Sequence, residues 1–405
     1  MQDVLSGVRI LEVAQWWFVP ASGAILADWG ADVIKVEHPV TGDPQRGLAA
    51  AGFSFKLGGV DFMMQQSNRG KRSVGIDIKT PEGRELLLKL AARADVFVTS
   101  FLPAARKKLR IDVEDIRAVN PDIIYVRGSG QGVRGPDSEK GGYDASAFWA
   151  RGGIAHALTR PEIELPIMPT AAFGDSIGAM TIAGGIAGAL FRRERHGVPS
   201  VVDVSLLSTA MWVLAPNIVA SKLVEPGKGM PSFSRSHAPN PLANSYKTKD
   251  GRWLLMMMLQ PDRYWADFCE HIERPDLAHD ERFADGPTRF QNREACVAEL
   301  DGEFAKRTLQ EWFEQFATLE GPWAPMQSAS EIHDDPQTEA NGYLPELDTG
   351  ERKIRVVASP VQFDETPLER VAPSPEMGQH TEEVLLELGL EWEEIARYKQ
   401  AKAIN

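Results

Sequence analysis

The tetrapeptide Phe173-Gly174-Asp175-Ser176 places a carboxylate directly before a long run of helix-forming residues. Aspartate in this position is typical of a helix cap, which accepts a hydrogen bond from an amide of the first turn. It also suits a carboxylate nucleophile, because a helix N-terminus stabilises an anion and should keep Asp175 ionised at neutral pH. The flanking Gly174 and Gly178 leave room for a ligand. The residues alone favour the cap and are compatible with both roles.

Two other groups of polar residues have the types that binding or catalysis needs. Tyr143-Asp144 follows a glycine pair and precedes apolar sequence, which also suits a buried tyrosine at the start of an element. Basic residues occur at Arg69-Gly70-Lys71-Arg72, at Lys79 and at Lys107-Lys108. Such clusters are usually solvated surface, but several cations near one another would also bind the phosphates of a nucleotide. Spacing alone leaves both interpretations open.

The sequence argues against a dinucleotide cofactor and against a metal. A Rossmann dinucleotide site needs glycines in its first turn, where this chain has Trp16, Trp17 and Phe18. The hexapeptide Gly130–Gly135 matches G-x-G-x-x-G, but Pro136 follows it and no helix opens there. The eight histidines are scattered and form no pair with metal-ligand spacing.

Composition restricts the classes of partner. The chain of 405 residues carries a formal net charge of −13, which argues against nucleic acid and still permits a local basic patch for an anionic small molecule. No stretch reads as a membrane span, and the first residues lack the pattern of a signal peptide. Two cysteines, Cys269 and Cys296, cannot form a disulfide framework. We therefore expect a cytoplasmic protein without a membrane or nucleic-acid partner.

Hydrophobic patterning predicts an α/β fold. Short β-branched runs at 8–14, 33–37, 95–99 and 123–126 alternate with helical stretches, which is typical of a mostly parallel sheet. A stretch rich in Pro, Gly and Ser near 225–245 reads as a linker, and a hairpin turning at Asp250-Gly251 follows it. Together with the resemblance described next, this gives a large domain at 1–224 completed by 333–405, and a linker and small domain at 225–332.

Several segments in order along nearly the whole chain resemble the class III coenzyme A (CoA) transferases. The segments that carry the resemblance are 30–37 (GADVIKVE), 68–73 (NRGKRS), 77–83 (DIKTPEG), 142–144 (GYD), 173–176 (FGDS) and 378–381 (GQHT). The resemblance implies a large Rossmann-like domain with a parallel sheet and a smaller α+β domain. It also implies a homodimer of two interlocked subunits, with acyl-CoA and a carboxylic acid as substrates and no permanently bound cofactor or metal.

The resemblance also implies roles for individual residues. Asp175 would attack an acyl-CoA thioester to give an anhydride and then an aspartyl-CoA thioester, with Tyr143 and Asp144 as catalytic support. The residues implied for CoA binding are Trp17, Phe18, His38, Lys71, Arg72, Ile76, Lys79, Ser100, Phe101, Lys108, Arg127, Gly128 and Ser129. The chain departs from formyl-CoA transferase at Trp17, His38 and Asp144, and it has no glycine-rich loop after Pro239. Formate and oxalate are therefore poor candidates for the substrate.

The lead hypothesis is an acyl-CoA:carboxylate CoA-transferase for a medium, apolar or aromatic acid. Trp149 and the run Met256–Met258 would suit an apolar acceptor pocket, although methionines in such a run are more often core. One alternative is an α-methylacyl-CoA racemase, which needs a histidine base where this chain has Tyr143. Another is an acyl-CoA-binding protein without catalysis.

Overall fold

The chain forms two compact units in a computed structural model that describes residues 3–51, 56–160, 163–224, 234–368 and 370–405. The larger unit comprises Met1–Val219 and Pro336–Asn405, and the smaller comprises Ala220–Asp335. The larger unit thus uses sequence from both parts of the chain that flank the smaller one. Part of the predicted linker, 225–233, lies outside the described residues.

The strands are short, as expected for the β-branched runs that form them. In chain order they are β1 (Arg9–Val13), β2 (Asp32–Glu37), β3 (Lys56–Leu57), β4 (Val60–Asp61), β5 (Arg72–Gly75), β6 (Val96–Thr99), β7 (Ile124–Ser129), β8 (Val201–Ser205), β9 (Ser245–Lys247), β10 (Trp253–Met256), β11 (Trp323–Pro325), β12 (Glu346–Asp348), β13 (Lys353–Arg355) and β14 (Arg370–Val371).

The α-helices of the described chain include one long member and many short ones. In chain order they are α1 (Phe18–Asp28), α2 (Phe62–Asn68), α3 (Pro81–Ala91), α4 (Pro103–Leu109), α5 (Val113–Arg117), α6 (Ile154–Leu158), α7 (Phe173–His196), α8 (Leu206–Val213), α9 (Ala215–Ala220), α10 (Pro261–His271), α11 (Pro275–Ala278), α12 (Gly286–Gln291), α13 (Arg293–Phe304), α14 (Leu309–Gln315), α15 (Pro336–Ala340), α16 (Thr381–Glu387) and α17 (Trp392–Gln400). A π-helix covers Asp144–Ala150.

A six-stranded parallel sheet with the order β5-β2-β1-β6-β7-β8 organises the larger unit. In order along the chain, these strands have the arrangement 3-2-1-4-5-6 of a Rossmann fold. The predicted α/β class with a parallel sheet is confirmed. In this topology the chain leaves β1 toward one edge of the sheet and later returns to its other side at β6. The crevice at the carboxyl ends of these two strands is where ligands bind in such sheets.

Helices cover both faces of this sheet, because successive strand residues point to opposite sides. On one face, Ile10 and Val98 belong to a buried cluster with side chains of α1 and α7. On the other face, Leu11 and Phe97 join side chains of α3, α16 and α17. Both clusters are nearly free of solvent exposure, so the sheet is the rigid base from which the loops at its carboxyl ends project.

Helices α1 and α7 pack closely because glycine replaces larger residues at their contact. A Cβ atom on Gly178 of α7 would lie 2.3 Å from the ring of Phe18 on α1. A Cβ atom on Gly184, farther along α7, would meet no other atom within 4 Å. Helix α7 is long and apolar enough, by length and composition only, to cross a membrane. Its apolar side chains pack on the sheet as those of a core helix do.

The C-terminal segment of the larger unit closes the β5 edge of the sheet. The Gly75 amide donates to Thr381 Oγ1 at 2.9 Å, and the Ser73 amide donates to His380 Nδ1 at 3.2 Å. Farther along, Ile404 pairs with Ile76 in an isolated β-bridge. The segment 378–381, which carried part of the family resemblance, therefore has a structural role at this edge.

The smaller unit contains a three-stranded antiparallel sheet in the order β11-β10-β9 and the helices α10 to α14. The predicted hairpin is present, with Leu254 of β10 opposite Tyr246 of β9. Its core is rich in aromatic rings, including Phe268, Phe304 and Trp312, each fully buried. Met256 and Met258 are fully buried in the same cluster.

Candidate active site

A cavity of about 470 Å³ lies at the carboxyl ends of the parallel strands, at the point where the strand order reverses. The loops after β1 and β6 are joined there, because the Gln15 amide donates to Ser100 Oγ at 3.0 Å. The cavity is lined by Gln15, Trp16, Phe18, Lys79, Ser100, Phe101, Leu102, Ala105, Leu109, Gly128, Ser129, Gly130, Gly141, Gly142, Tyr143, Asp175 and Leu206. It therefore brings Asp175 together with residues from four separate loops.

A second, smaller cavity of about 150 Å³ shares Gln15, Lys79, Phe101 and Leu109 with the first. His38 and Ile76 line it. The ring of His38 is oriented by its Nδ1, which accepts hydrogen bonds from the amides of Val40 and Thr41 at 3.2 Å each. The two adjoining spaces provide an extended binding surface, longer than a small acid alone would occupy.

Asp175 lies inside the first turn of α7 and is not its cap. The helix begins at Phe173, and the N-cap position belongs to Ala172, whose backbone is left-handed with φ 59°. The capping prediction is therefore wrong. Among the described residues, no donor lies within hydrogen-bond distance of the Asp175 carboxylate, which faces the cavity half-buried.

The carboxylate that caps α7 is Asp144, which comes from the start of the π-helix. Its Oδ1 accepts a hydrogen bond from the Gly174 amide at 3.0 Å, and its side chain is buried. Burial raises the pKa of Asp144, and the amides of Gly174, Phe173 and Asp175 oppose that rise. The first-turn amides of α7 thus stabilise Asp144, which leaves Asp175 without their support.

The pKa of Asp175 is raised to about 7, first by burial and then by the negative charge of Asp144. Contrary to the expectation from the sequence, the helix N-terminus does not hold the pKa of Asp175 down. A carboxylate that titrates near 7 and accepts no hydrogen bond is more basic than an ordinary aspartate, and its lone pairs are free to attack a substrate.

The two cavities bring together most of the residues predicted for the site. Those that line one or both of them are Phe18, His38, Ile76, Lys79, Ser100, Phe101, Gly128, Ser129, Tyr143 and Asp175. Asp144 lies directly behind Asp175, at the helix terminus. Lys79 is exposed, and no carboxylate among the described residues lies within ion-pair distance of it. It is the lysine best placed to meet an anionic ligand.

The prediction that Lys71 binds CoA is corrected by the structure, because its side chain is fully buried and lines neither cavity. Its Nζ lies 2.8 Å from Glu12 Oε2 and also donates to the Pro20 carbonyl and to Asn68 Oδ1, at 2.7 and 2.9 Å. Every proton of the ammonium group is therefore used inside the protein. We no longer expect Lys71 to contact CoA.

Four other predicted CoA-binding residues are also absent from the cavity walls. Arg72 pairs with Asp32 at 2.7 Å and Arg127 with Asp203 at 2.6 Å, in each case on a neighbouring strand or its loop. Lys108 is exposed on α4. The indole nitrogen of Trp17 donates to Ser176 Oγ at 3.1 Å, which ties the β1–α1 loop to α7. Their contact with CoA stays a prediction.

Trp149 and the Met256–Met258 run, predicted for an apolar acceptor pocket, line neither of the two cavities, and their contact with the acceptor stays a prediction. Trp149 is 5% exposed, and its indole nitrogen donates to the Ile167 carbonyl at 2.8 Å. Met256 and Met258 belong to the core of the smaller unit. The apolar wall of the cavity instead includes Trp16, which the sequence prediction left out. The signal for it was available: Trp16 follows the carboxyl end of β1, where a Rossmann sheet binds its ligands.

No group of three or more His, Cys, Asp or Glu side chains suited to a metal occurs among the described residues. The site is that of a parallel α/β enzyme, with a carboxylate of raised pKa at the switch point of its sheet. The chain matches the model of CoA-transferase family III over residues 5–381 and belongs to that family, which confirms the family prediction.

Characterised relatives match over nearly their whole length. The chain is 32% identical to the (R)-2-hydroxy-4-methylpentanoate CoA-transferase of Clostridioides difficile, covering 99% of this chain and 100% of that one. It is 31% identical to the cinnamoyl-CoA:phenyllactate CoA-transferase of Clostridium sporogenes, covering 99% and 97%. The crystal structure of a CaiB/BaiF family protein from Brucella suis superposes with a TM-score of 0.81 at 28% identity, covering 96% and 100%.

Proposed function

We propose that the protein is an acyl-CoA:carboxylate CoA-transferase that acts on a medium-sized apolar or aromatic acid, with Asp175 as its nucleophile. The observation that carries the proposal is the Asp175 carboxylate, which accepts no hydrogen bond from the described residues and faces a cavity at the switch point of the sheet. The two relatives named above act, by their names, on a branched and on an aromatic acid. The apolar lining of the cavity suits both.

The proposed reaction exchanges groups on Asp175 without a net change in bonds. A carboxylate oxygen of Asp175 attacks the thioester carbon of the donor, and the carbon–sulfur bond breaks to give an acyl-aspartyl anhydride and CoA thiolate. The thiolate then attacks the aspartyl carbon of the anhydride, which releases the donor acid and leaves an aspartyl-CoA thioester. The acceptor carboxylate attacks this thioester and forms a second anhydride. The thiolate finally takes the new acyl group, which regenerates Asp175.

CoA binding is assigned to the two adjoining cavities. Lys79 lines both and has no ion-pair partner among the described residues, so it would face a phosphate group. His38, Ile76 and Phe101 line the smaller cavity, and Ser100, Gly128 and Ser129 lead along the larger one toward Asp175. In this arrangement the thioester end of the ligand lies at Asp175. The chemistry requires no permanently bound cofactor.

The alternatives considered at the outset have no observation in their favour. A racemase needs a histidine base at the position where this chain has Tyr143. A protein that only binds acyl-CoA has no use for a carboxylate with a perturbed pKa at the reacting end of its ligand.

We also propose an interlocked homodimer in the cytoplasm. A run of apolar side chains on α8 and α9 is exposed, with Trp212 at 83% and Val219 at 64%, and α9 has no buried residue. A surface of this kind suits a second copy of the chain. Both cysteines are free and buried, as a reducing compartment permits. If the subunits are interlocked, two differently tagged populations mixed under native conditions should form no mixed dimers. Rapid exchange would contradict interlocking.

The test of the nucleophile is trapping of the intermediate. After incubation with acyl-CoA alone, mass spectrometry should find CoA attached to the peptide that contains Asp175. The variant Asp175→Asn should form no adduct and lose at least about 10³-fold in transfer rate. Asp348→Asn, which removes an exposed carboxylate of β12, is the matched control and should behave as wild type. Full activity in Asp175→Asn would overturn the proposal.

A further inference from the structure

The turn between β1 and α1 holds a tryptophan in a backbone conformation that large side chains rarely adopt. Trp16 has φ 70°, in the left-handed region. Its indole meets the ring of Tyr143 edge-on, with centroids 5.7 Å apart and planes at 90°. Both rings line the cavity that contains Asp175. A strained aromatic residue at a binding cavity suggests that the ring's position matters for function.

A buried carboxylate fixes this conformation. The Trp16 amide donates to Asp43 Oδ1 at 3.1 Å, and the other oxygen of Asp43 lies 2.9 Å from Lys35 Nζ. Neither Asp43 nor Lys35 has an exposed side chain. Lys35 Nζ also donates to the Ala14 carbonyl at 3.0 Å, which is two residues before Trp16. Asp43 therefore cannot move without breaking an ion pair inside the core, and the loop is anchored on both sides of Trp16.

We propose that Trp16 and Tyr143 are the specificity-determining pair that favours an aromatic ring in the transferred acid, and that Asp43 is the positioning residue that holds Trp16 in place. This inference rests on the proposed function, because it assumes that the acid is carried on Asp175. A ring placed against two perpendicular aromatic side chains gains edge-to-face contacts that an aliphatic chain of similar area lacks. The preference should therefore appear as a ratio between acids and not as activity itself.

The test compares two acceptors with one CoA donor, 3-phenylpropanoate and octanoate. In Trp16→Leu and Tyr143→Leu we expect the ratio of kcat/KM values, phenyl over aliphatic, to fall about 3- to 10-fold, chiefly through KM. Trp16→Phe and Tyr143→Phe should keep the ratio within about twofold, because each retains a ring. Equal losses on both acids, or no change in Trp16→Leu, would overturn the assignment.

Asp43 is tested by a conservative pair of variants. Asp43→Asn keeps an oxygen that accepts from the Trp16 amide but loses the ion pair with Lys35, so it should retain more of the preference than Asp43→Ala, which should lower it as far as Trp16→Leu does. The double variant Asp43→Ala/Trp16→Leu should show no further loss, since both changes remove the same ring position. A further loss in the double variant, or retention of the ratio in Asp43→Ala, would overturn the positioning role.

If Asp43→Ala does not fold, a second measurement tests the strained backbone of Trp16 directly. Trp16→Gly should melt about 2 °C above Trp16→Ala, because glycine adopts φ 70° without strain. The reverse order would remove the argument from strain. Failure of the proposed function can be distinguished from failure of this inference. If the proposed function is wrong, Asp175→Asn still transfers CoA to both acids. If only this inference is wrong, Asp175→Asn is inactive and the ratio of the two acids is unchanged in Trp16→Leu.

Discussion

Two groups of charged side chains lie in the larger unit, and they differ in how their charges are neutralised. The first, which we call the buried ion cluster, consists of Glu12, Lys35, Asp43 and Lys71, all fully buried in the side chain or nearly so. The second is the carboxylate pair, Asp144 and Asp175. In the cluster each carboxylate has an ammonium partner, whereas in the pair the charge that shifts the pKa of Asp175, among the described residues, is that of another carboxylate.

The pKa values follow from this difference. At the margin of the buried ion cluster, hydrogen bonds from Arg46 and the charge of Lys35 outweigh burial and lower the pKa of Glu37 to about 2. At Asp175, burial and Asp144 act in the same direction and raise the pKa to about 7. Burial of a charge therefore does not by itself mark a functional group. What marks Asp175 is burial without a partner, at a surface that a ligand can reach.

The largest expected effect separates Lys71 from Lys79. Lys71→Met should lower the free energy of unfolding by about 3 kcal/mol, because it leaves Glu12 with one buried partner fewer. It should leave KM for acyl-CoA within about twofold. Lys79→Met should change stability by less than about 0.5 kcal/mol and raise KM about 10-fold. Denaturant titration and initial rates measure both. A raised KM in a folded Lys71→Met variant would show that the cluster also serves the ligand.

A smaller effect concerns stability and pH at Asp175. Because its pKa is raised in the folded chain, the folded protein retains a proton that the unfolded chain releases between about pH 4 and pH 7. Wild-type stability should therefore fall across this window, and Asp175→Asn should escape the loss. We expect the variant to be about 2 kcal/mol more stable than wild type at pH 8 and nearly equal at pH 4. A gain that is the same at both pH values would contradict a raised pKa.

The smallest effect concerns the charge of Asp144. The ionised form of Asp175 is the nucleophile, so kcat/KM should rise with pH and level off above about 7. Asp144→Asn keeps the oxygen that accepts from the Gly174 amide and removes the charge. The acid limb should then move to lower pH by about half a unit to one unit, or about 0.7–1.4 kcal/mol. An unmoved limb would mean that burial alone sets the pKa of Asp175.

Much of the fold could be predicted, because its signals are local. The strand that becomes β1, the helix α3 with Thr80 as its cap, and the hairpin of β9 and β10 all follow from short patterns. The start of α7 could not, since Ala172 takes the cap position and Asp144, 30 residues away, supplies the capping bond. Only the tertiary structure brings that partner to the helix.

Site residues could be predicted where they lie at the carboxyl end of a parallel strand. Ser100 and Phe101 follow the end of β6, Gly128 and Ser129 are the last residues of β7, and all four line the cavity. Lys71 fails this test because it precedes β5, so its side chain enters the core at the start of the strand. The sequence around a basic residue does not reveal which distant carboxylate will pair with it in the fold. Glu12, 59 residues earlier, decided the role of Lys71.

The closure of the β5 edge has a consequence for synthesis of the chain. The Gly378 amide that donates to Ser73 Oγ belongs to a residue 305 positions later, so the strand exists before its cover does. At about 5–20 residues per second on the ribosome, the interval lasts roughly 15–60 s. During that time β5 presents open backbone groups of the kind that recruit other strands. Chaperone occupancy on nascent chains should therefore persist until residues 378–404 have emerged.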